Sequence, residues 1–541
     1  MERRLSTHVC AAFLAVLLAT ASMPCHGDFI ENLKLKFSFA APEIALVYPT
    51  QGRLRASEGL LRFNVAQVRQ SGGDAPFKKY HVEVILRDAK GEVHSVSSEF
   101  DGHRAECVFE GLPDGLAYVS ARLLKGKNPE PVDLLEQHLE VVGDTVADTP
   151  KGACTVDRFG RTLVDGKPFL PIGLYTGSCG DFDLIFNSDF NCIMAYGSYA
   201  LRLPADKDEG DYLAAAMRAL DKLEENGFKL IFSLKDLYDF NPFQDATRAF
   251  MKAYGGASPE ETAIRIAKIF GRHPALLAWY LNDEIPLANR DGVIKLKSMM
   301  NSVDPYHPTW ATLCDFAETP LMARGHDIIG VDPYPIMKDK PAEQSRCVDA
   351  MDAVERSGQA SWVVPQIFNW GIYRARKNPS AYPKYHSPTL DQMRGLTLYK
   401  ALRGARGFIF YSFYNIFSPS NMKEFKEYGE SFEECLGRWE DVKQLATLLK
   451  SISPWLLSEK GPEKVELKVE DGRAEAAKFL DEKGTPLYLI ANVGPDDPMA
   501  ILTLPEDSPK MRACFGHGEE ISPGVWKFSG EDIWGEILLP E

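Results

Sequence analysis

The sequence predicts an α/β fold, a (β/α)8 TIM barrel with one β-sandwich domain before it and another after it. Three observations lead to this prediction. Residues 153–453 alternate between apolar runs of strand length and amphipathic helical patterns. Eight such strand candidates fit into about 300 residues, which is the usual scale of this barrel. The segments before and after this region contain only short alternating runs bounded by turn residues.

The first 27 residues are interpreted as a signal peptide. Residues 9–19 form an apolar run of h-region length, too short to span a bilayer comfortably, behind a charged opening. Ala19-Thr20-Ala21 supplies a small-x-small cleavage site, and a buried N-terminal helix is the alternative interpretation. We therefore expect a secreted or periplasmic protein that has no membrane segment after cleavage.

Charge and cysteine patterns restrict the partners. Asp and Glu outnumber Lys and Arg by 76 to 61, and no basic block stands out, which disfavours nucleic acid and anionic membranes and fits a neutral substrate. The ten cysteines show no CxxC and no Cys/His cluster of zinc spacing, so we expect neither a metal nor a cofactor. Most are interpreted as buried free thiols, although a Cys179–Cys192 disulfide is conceivable.

The flanking domains are predicted from their β-pattern. Residues 28–150 carry short alternating runs with turn signals, which is typical of a fibronectin-like or immunoglobulin-like sandwich. Residues 144–152 look like a linker, and residues 454–541 return to β-structure as a second sandwich.

Between the two flanking domains, the eight predicted strands are continuously apolar, as expected for a parallel sheet that is buried on both faces. They are 168–175, 192–197, 229–235, 277–283, 308–314, 327–332, 361–367 and 407–413. Helices are predicted over 212–226, 261–270, 291–303, 342–357, 390–403 and 432–452. An open doubly wound sheet is the alternative, but residues 173–177 do not form the Gly-rich phosphate loop that it would require.

Strand ends define the candidate site, because active sites of this barrel form at the carboxyl ends of its strands. Carboxylates there can supply the acid and base of glycoside cleavage, and aromatic rings offer flat faces to sugars. For any single aromatic, core packing is the alternative. The predicted catalytic residues are Asp283, Glu284 and Asp332, and the predicted substrate-binding residues are Tyr175, Tyr196, Asp236, Asn282, Tyr334, Gln366, Trp370 and Tyr411.

The segment 279–286 is the most informative part of this set. Strand alternation places Tyr280, Asn282 and Glu284 on one face, which would turn Asp283 toward the helices. A lone buried charge there costs several kcal/mol, so we expect the strand to end at Asn282, with Asp283 also turned to the mouth. Two adjacent carboxylates raise one pKa toward the range of a general acid.

Residues 157–176, residues 273–284 (HPALLAWYLNDE) and the run FIFYSFYNI at 408–416 resemble the glycoside-hydrolase superfamily of (β/α)8 barrels. That superfamily includes β-galactosidases, β-glucuronidases and cellulases, and the resemblance covers about 153–453. It implies that Glu284 is the acid/base. Members more often have Asn directly before this Glu, whereas this chain has Asp283. They carry a nucleophilic Glu near the end of strand 7, where this chain has Gln366, and a neutral amide cannot form the glycosyl-enzyme ester.

Three interpretations follow from Gln366. In the first, Asp332 is the second carboxylate. In the second, the Asp283–Glu284 pair resembles that of hexosaminidases, in which the substrate N-acetyl group is the nucleophile. In the third, the barrel only binds sugar. The expected function is an exported glycoside hydrolase that acts on a poly- or oligosaccharide, with a catalytically inactive carbohydrate-binding barrel as the alternative. A structural or adhesive scaffold is a further class, but it would have no use for the carboxylate-and-aromatic mouth.

Overall fold

The computed structural model describes residues 41–67, 77–143, 149–177, 182–470, 472–494 and 498–541, except for 207, 209, 242 and 339–344. The predicted signal peptide, its cleavage site and Cys179 lie outside the described residues. Within the described ranges, no helix has the length and apolarity needed to cross a bilayer.

Two sheets face each other in the N-terminal region and share one core that includes Phe63, Val84 and Val119. One has the order β1-β3-β6 and the other β2-β8-β7-β4-β5. These strands are β1 (Glu43–Tyr48), β2 (Arg53–Arg55), β3 (Leu60–Ala66), β4 (Tyr80–Arg87), β5 (Val93–Glu99), β6 (Arg104–Val108), β7 (Gly115–Lys125) and β8 (Asp133–Val142). This is the arrangement of a β-sandwich.

A small antiparallel sheet covers the amino-terminal end of the central region. It consists of β9 (Cys154–Val156), β10 (Thr162–Val164) and β11 (Lys167–Phe169). Cys154 and Val156 pack into the interior cluster of the central sheet. The predicted first barrel strand therefore divides at Pro171, because residues 167–169 pair in this small sheet and the barrel strand starts at Ile172.

The central region contains one curled sheet of eight strands in the order β18-β17-β16-β15-β14-β13-β12-β19. All seven neighbouring pairs are parallel. The strands are β12 (Ile172–Thr176), β13 (Cys192–Ala195), β14 (Lys229–Ser233), β15 (Leu276–Asp283), β16 (Thr309–Leu313), β17 (Ile328–Val331), β18 (Ala360–Ser361) and β19 (Phe408–Phe410). Each of the eight falls within or overlaps a predicted strand, in the predicted order.

The two edge strands of this sheet, β18 and β19, meet without a continuous ladder. Isolated parallel bridges join Val363 to Phe408 and Gln366 to Tyr411. The amide of Tyr411 donates to the carbonyl of Pro365 at 3.1 Å. We call this junction the β18–β19 seam. The predicted seventh strand, 361–367, is therefore mostly irregular, since Pro365 has no N–H to donate.

Helices follow the strands and cover the sheet. They are α1 (Phe182–Phe186), α2 (Tyr212–Glu225), α3 (Gln244–Tyr254), α4 (Pro259–Phe270), α5 (Arg290–Val303), α6 (Ser345–Ser357), α7 (Gly371–Arg374), α8 (Leu390–Leu402), α9 (Phe413–Asn421) and α10 (Phe432–Leu456). The six predicted helices correspond to α2, α4, α5, α6, α8 and α10. The helix α3 was not predicted, because the Pro and Asn residues at 241–242 read as a loop.

The C-terminal region again forms two sheets, ordered β20-β22-β23-β28-β25 and β21-β24-β27-β26. Its strands are β20 (Glu463–Val465), β21 (Lys468–Glu470), β22 (Ala474–Leu480), β23 (Pro486–Asn492), β24 (Met499–Thr503), β25 (Met511–Ala513), β26 (Gly518–Ser522), β27 (Val525–Phe528) and β28 (Trp534–Pro540). Ile490, Leu502 and Phe528 lie in the core between them.

A buried polar contact connects the N-terminal sheets to the central region. Asp327, which is 3% exposed, accepts the amide of Gln51 at 3.0 Å and both the amide and the hydroxyl of Thr309, at 2.9 and 2.8 Å. Lys297 Nζ lies 3.2 Å from the same carboxylate. Lys297 and the hydrogen bonds outweigh the effect of burial and hold the pKa of Asp327 below its ordinary value.

Candidate active site

A β-bulge in β15 arranges the carboxylates of the predicted site. Tyr280 pairs with Trp310 on β16, but Asn282 pairs with Ala311 and Asp283 with Thr312, so Leu281 is left without a partner. The rings of Tyr280 and Trp310 lie in the interior of the curled sheet. Because alternation also turns Thr312 inward, its partner Asp283 faces the interior as well.

The bulge corrects part of the sequence prediction. The strand continues to Asp283 and does not end at Asn282, and Asp283 instead of Asn282 shares a face with Tyr280. Asn282 lies opposite Ala311, is fully buried, and has no hydrogen-bond partner for its side-chain amide among the described residues. Asn282 is therefore not placed to bind substrate at the mouth, whereas Asp283 is turned inward as expected.

Glu284 follows the bulge in a left-handed backbone conformation, with φ of 53°. Such a conformation is uncommon for a residue with a side chain and costs on the order of 1–3 kcal/mol. The Glu284 amide is held by the carbonyl of Thr312 at 2.9 Å, and its side chain is exposed. The local geometry therefore projects this carboxylate out of the end of β15.

Glu284 and Asp332 lie close enough for each to affect the pKa of the other. Burial raises the pKa of Asp332 well above its ordinary value, and the nearby charges of Glu284 and Asp283 raise it further. The pKa of Glu284 is also raised, first by partial desolvation and then by Asp283, although hydrogen bonding to Asp332 and Cys314 acts in the opposite direction. Because the two carboxyl groups interact, they titrate as a pair.

Hydroxyl groups hold Asp283 in the interior. The Tyr280 hydroxyl donates to its carboxylate at 2.6 Å, and the Tyr196 hydroxyl donates to its other oxygen. The Tyr175 hydroxyl lies 3.3 Å from that of Tyr280 and 3.0 Å from the Thr312 hydroxyl. This chain of hydrogen bonds fixes the orientation of Asp283 next to the Glu284–Asp332 pair.

Aromatic rings form one wall of the site. Tyr334 and Tyr411 stack with their centroids 5.5 Å apart. Hydrogen bonding by Tyr334 acts to lower the pKa of Asp332, against the larger effect of burial. The indole N–H of Trp370 donates to the Tyr334 carbonyl at 3.3 Å. The hydroxyls of Tyr373 and Tyr414 lie 2.8 and 2.9 Å from that of Tyr411. Flat faces and hydroxyls next to a carboxyl pair suit a polyhydroxylated ring.

Gln366 and Asp236 are placed differently from the rest of the predicted set. Gln366 is fully buried: its Oε1 accepts the Ile336 amide at 3.0 Å, and its Nε2 donates to the carbonyls of Ile336 and Phe368 at 2.6 and 3.1 Å. Asp236 is 5% exposed and is paired with Lys235 at 3.0 Å. Each of these side chains is occupied by protein partners, so neither is free for substrate.

The contacts of Gln366 lead to a testable expectation. Gln366→Glu removes both amide hydrogens, so two buried carbonyls would face a carboxylate, and we expect a loss of about 2 kcal/mol or more in the free energy of unfolding. Urea denaturation measures this loss, with the exposed Gln444→Glu as the matched control. A stable Gln366→Glu variant with increased glycosidase activity would instead show that this position is a vacant nucleophile site.

Several residues of the site were not among the predicted ones. Tyr280 and Thr312 lie on interior positions of their strands, and alternation alone could have identified them. Cys314 follows β16, and its thiol donates to Glu284. Tyr373 belongs to α7, and its contact with Tyr411 has no sequence signal, because it depends on how the loop after β18 folds back.

No protein-family model and no curated protein matches this chain. Similar solved structures include the crystal structure of β-glucuronidase from Ruminococcus gnavus and that of the same enzyme in complex with D-glucaro 1,5-lactone. Each is 13% identical with a TM-score of 0.33, and each alignment covers 69% of this chain and 62% of the other. The chain thus matches less than two thirds of the length of these glycosidases.

Proposed function

We propose that the protein is an exported glycoside hydrolase that acts on a poly- or oligosaccharide through the Glu284–Asp332 pair. One observation carries the proposal: two carboxyl groups from different strand ends, each with a raised pKa, lie together beside a wall of tyrosine rings. We further propose that residues 1–27 are removed on export and that the central region is a closed (β/α)8 barrel over 153–453. Residues 28–150 and 454–541 form the flanking sandwiches.

Glycoside cleavage requires one carboxyl group that protonates the leaving oxygen and a second, ionised one that supports the developing positive charge. In this proposal the Glu284–Asp332 pair supplies the protonated carboxyl group and the ionised one at the same time. Glu284 is the exposed member, so a substrate oxygen reaches it first. In this proposal the pair holds one proton, Glu284 delivers it to the leaving oxygen, and Asp332 is the carboxylate that faces the sugar.

The closeness of the pair bears on stereochemistry. Inverting enzymes keep their carboxyl groups about 6.5–9.5 Å apart to admit a water, whereas retaining enzymes keep them about 5–5.5 Å apart. The effects of Glu284 and Asp332 on each other's pKa indicate a close pair, without the wide gap that admits a water. This favours a direct role for Asp332 over a role as a water-activating base.

The other two interpretations remain as competing proposals. In the substrate-assisted route, Asp283 would orient an N-acetyl group, but its two oxygens already accept the hydroxyls of Tyr196 and Tyr280. In the binding-only interpretation, Gln366 marks lost catalysis, but the structural contacts of Gln366 give the amide another purpose. Neither is therefore preferred.

The test is a substrate panel for the purified wild-type protein: aryl β- and α-glycosides of neutral sugars, uronic acids and N-acetylhexosamines. We expect hydrolysis with retained configuration by proton NMR. The acid must stay protonated, so activity should persist above the ordinary carboxyl range of about pH 4 and fall only at higher pH. Activity confined to N-acetylhexosaminides would favour the Asp283 route, and sugar binding without any hydrolysis would contradict the proposal.

A further inference from the structure

The exposed large apolar side chains of the central region are all of one chemical type. Among the described residues between 168 and 453, the exposed large hydrophobic side chains are all aromatic: Phe240, Phe243, Tyr373, Tyr428 and Phe432. In the described parts of the two flanking regions, such side chains are all aliphatic: Ile85, Val93, Val108, Leu116, Leu134 and Ile521. We call the first set the aromatic rim. Isolated exposed apolar residues need no explanation. Here, however, all of the exposed apolar side chains of one region are aromatic, which indicates that they have a common function.

The position of the rim is as uniform as its composition. Phe240 and Phe243 follow β14, Tyr373 follows β18, and Tyr428 and Phe432 follow β19. All five therefore lie at the carboxyl ends of the strands, on the same face as Glu284. In the strand order, β14 and β18 are four places apart, so the two parts of the rim lie on opposite sides of the mouth, with β15 and β17 between them.

Two of the rim residues, Phe240 and Phe432, pack on a neighbouring ring and still remain exposed. Phe240 stacks on Tyr238 at 4.6 Å, and the Tyr238 hydroxyl donates to the Leu281 carbonyl in β15 at 2.9 Å. Phe432 packs against Phe417 with centroids 5.9 Å apart, yet it is 55% exposed, and Phe243 is 69% exposed. Rings that are anchored at one edge and open on one face are suited to stack on a flat ligand.

We infer that the aromatic rim binds successive sugar units of a long carbohydrate chain that crosses the mouth from the Phe243 side to the Phe432 side. The inference rests on the proposed function, which it extends from a single cleaved bond to a polymeric substrate. Sugar rings carry apolar C–H faces that stack on aromatic rings. A protein partner would be met by one contiguous patch, whereas the rim is divided by the carboxylate-bearing mouth.

The test is the double variant Phe243→Ala/Phe432→Ala, one residue from each side of the mouth. Its matched control is Val93→Ala/Ile521→Ala, two exposed aliphatic side chains on the flanking regions. Affinity electrophoresis in gels that contain xylan, glucomannan, hydroxyethyl cellulose, arabinogalactan or glycol chitin measures polysaccharide binding. Thermal unfolding checks that each variant is folded, and a short aryl glycoside reports on the carboxyl pair alone.

We expect wild type and control to be retarded by at least one polysaccharide, and the rim variant to bind it roughly tenfold more weakly. Its kcat/KM on the aryl glycoside should stay within about twofold of wild type. Equal retardation of wild type and rim variant, or no retardation of wild type by any of the five, would overturn the inference. If wild type is retarded through the rim but hydrolyses nothing, the rim inference stands and the proposed hydrolysis fails.

Discussion

Glu284→Gln should lower the rate of hydrolysis of unactivated glycosides by about 10²–10⁴-fold, the usual contribution of a positioned proton donor. The substitution keeps the shape of the side chain but removes the proton that the leaving oxygen needs. Substrates with a dinitrophenyl leaving group should lose much less, because they require little protonation. Steady-state kcat/KM values on both substrate classes measure the difference.

The control for this variant is Asp291→Asn. Asp291 opens α5 just beyond the Glu284 loop and its side chain is 96% exposed, so the variant should leave both rates unchanged. Sugar binding should be nearly intact in Glu284→Gln. A variant as fast as wild type on every substrate would remove Glu284 from the mechanism.

The neighbouring carboxylate Asp283 gives the same prediction a pH signature. After burial, the charge of Asp283 is the next contribution that raises the pKa of Glu284, and Asp283→Asn removes that charge. In this variant the proton on Glu284 should be lost at lower pH, so the alkaline limb of the pH–rate profile should move toward acid. An unmoved limb would show that Asp283 does not raise the pKa of Glu284.

Asp327→Ala should lower the free energy of unfolding by about 3–5 kcal/mol, the usual effect of breaking a buried ion pair from one side. The variant leaves the Lys297 ammonium, whose side chain is 16% exposed, without its carboxylate and frees the amides of Gln51 and Thr309. Because Gln51 belongs to the N-terminal sheets, the docking of those sheets onto the central region should weaken as well. Urea denaturation at neutral pH measures the loss.

The pH dependence of that loss follows from the lowered pKa of Asp327. A carboxyl group with a depressed folded pKa stabilises the protein above its unfolded pKa, near 3.9, and the stabilisation disappears as pH falls through the folded value. The gap between wild type and Asp327→Ala should therefore close in acid. The exposed Asp245→Ala, whose side chain is 96% exposed, should cost less than about 0.5 kcal/mol at any pH. An unchanged gap down to pH 2 would contradict the assignment.

The order of elements in the central region could be predicted from the sequence because its signals are local. An apolar run at 277–283 predicts β15, observed as Leu276–Asp283, and the periodicity at 212–226 predicts α2, observed as Tyr212–Glu225. The bulge at Leu281 has no such signal, because it arises from the pairing of β15 with β16. Strict alternation therefore assigned Asn282 to the mouth, although the structure turns Asp283 inward instead.

The roles of individual site residues depended still more on contacts that are distant in sequence. Gln366 was judged by its place at the end of strand 7, but its amide is used by Ile336, thirty residues earlier. Glu284 and Asp332 were both predicted as catalytic residues, but that they lie together and affect each other's pKa follows only from the convergence of β15 and β17. Composition and periodicity predict which residues reach an edge of the sheet, and tertiary pairing decides which of them meet.

The β18–β19 seam has a consequence for how the mouth accommodates a ligand. A ring of strands that is closed by continuous ladders can change its circumference only by breaking several hydrogen bonds together. Here the edge strands β18 and β19 are joined by isolated bridges, so we expect changes in width to concentrate at that place. Tyr411 lies on this junction and stacks on Tyr334 of the aromatic wall. We therefore expect such changes to move the aromatic wall more than Glu284 and Asp332, because β15 and β17, the strands that precede them, both pair with β16.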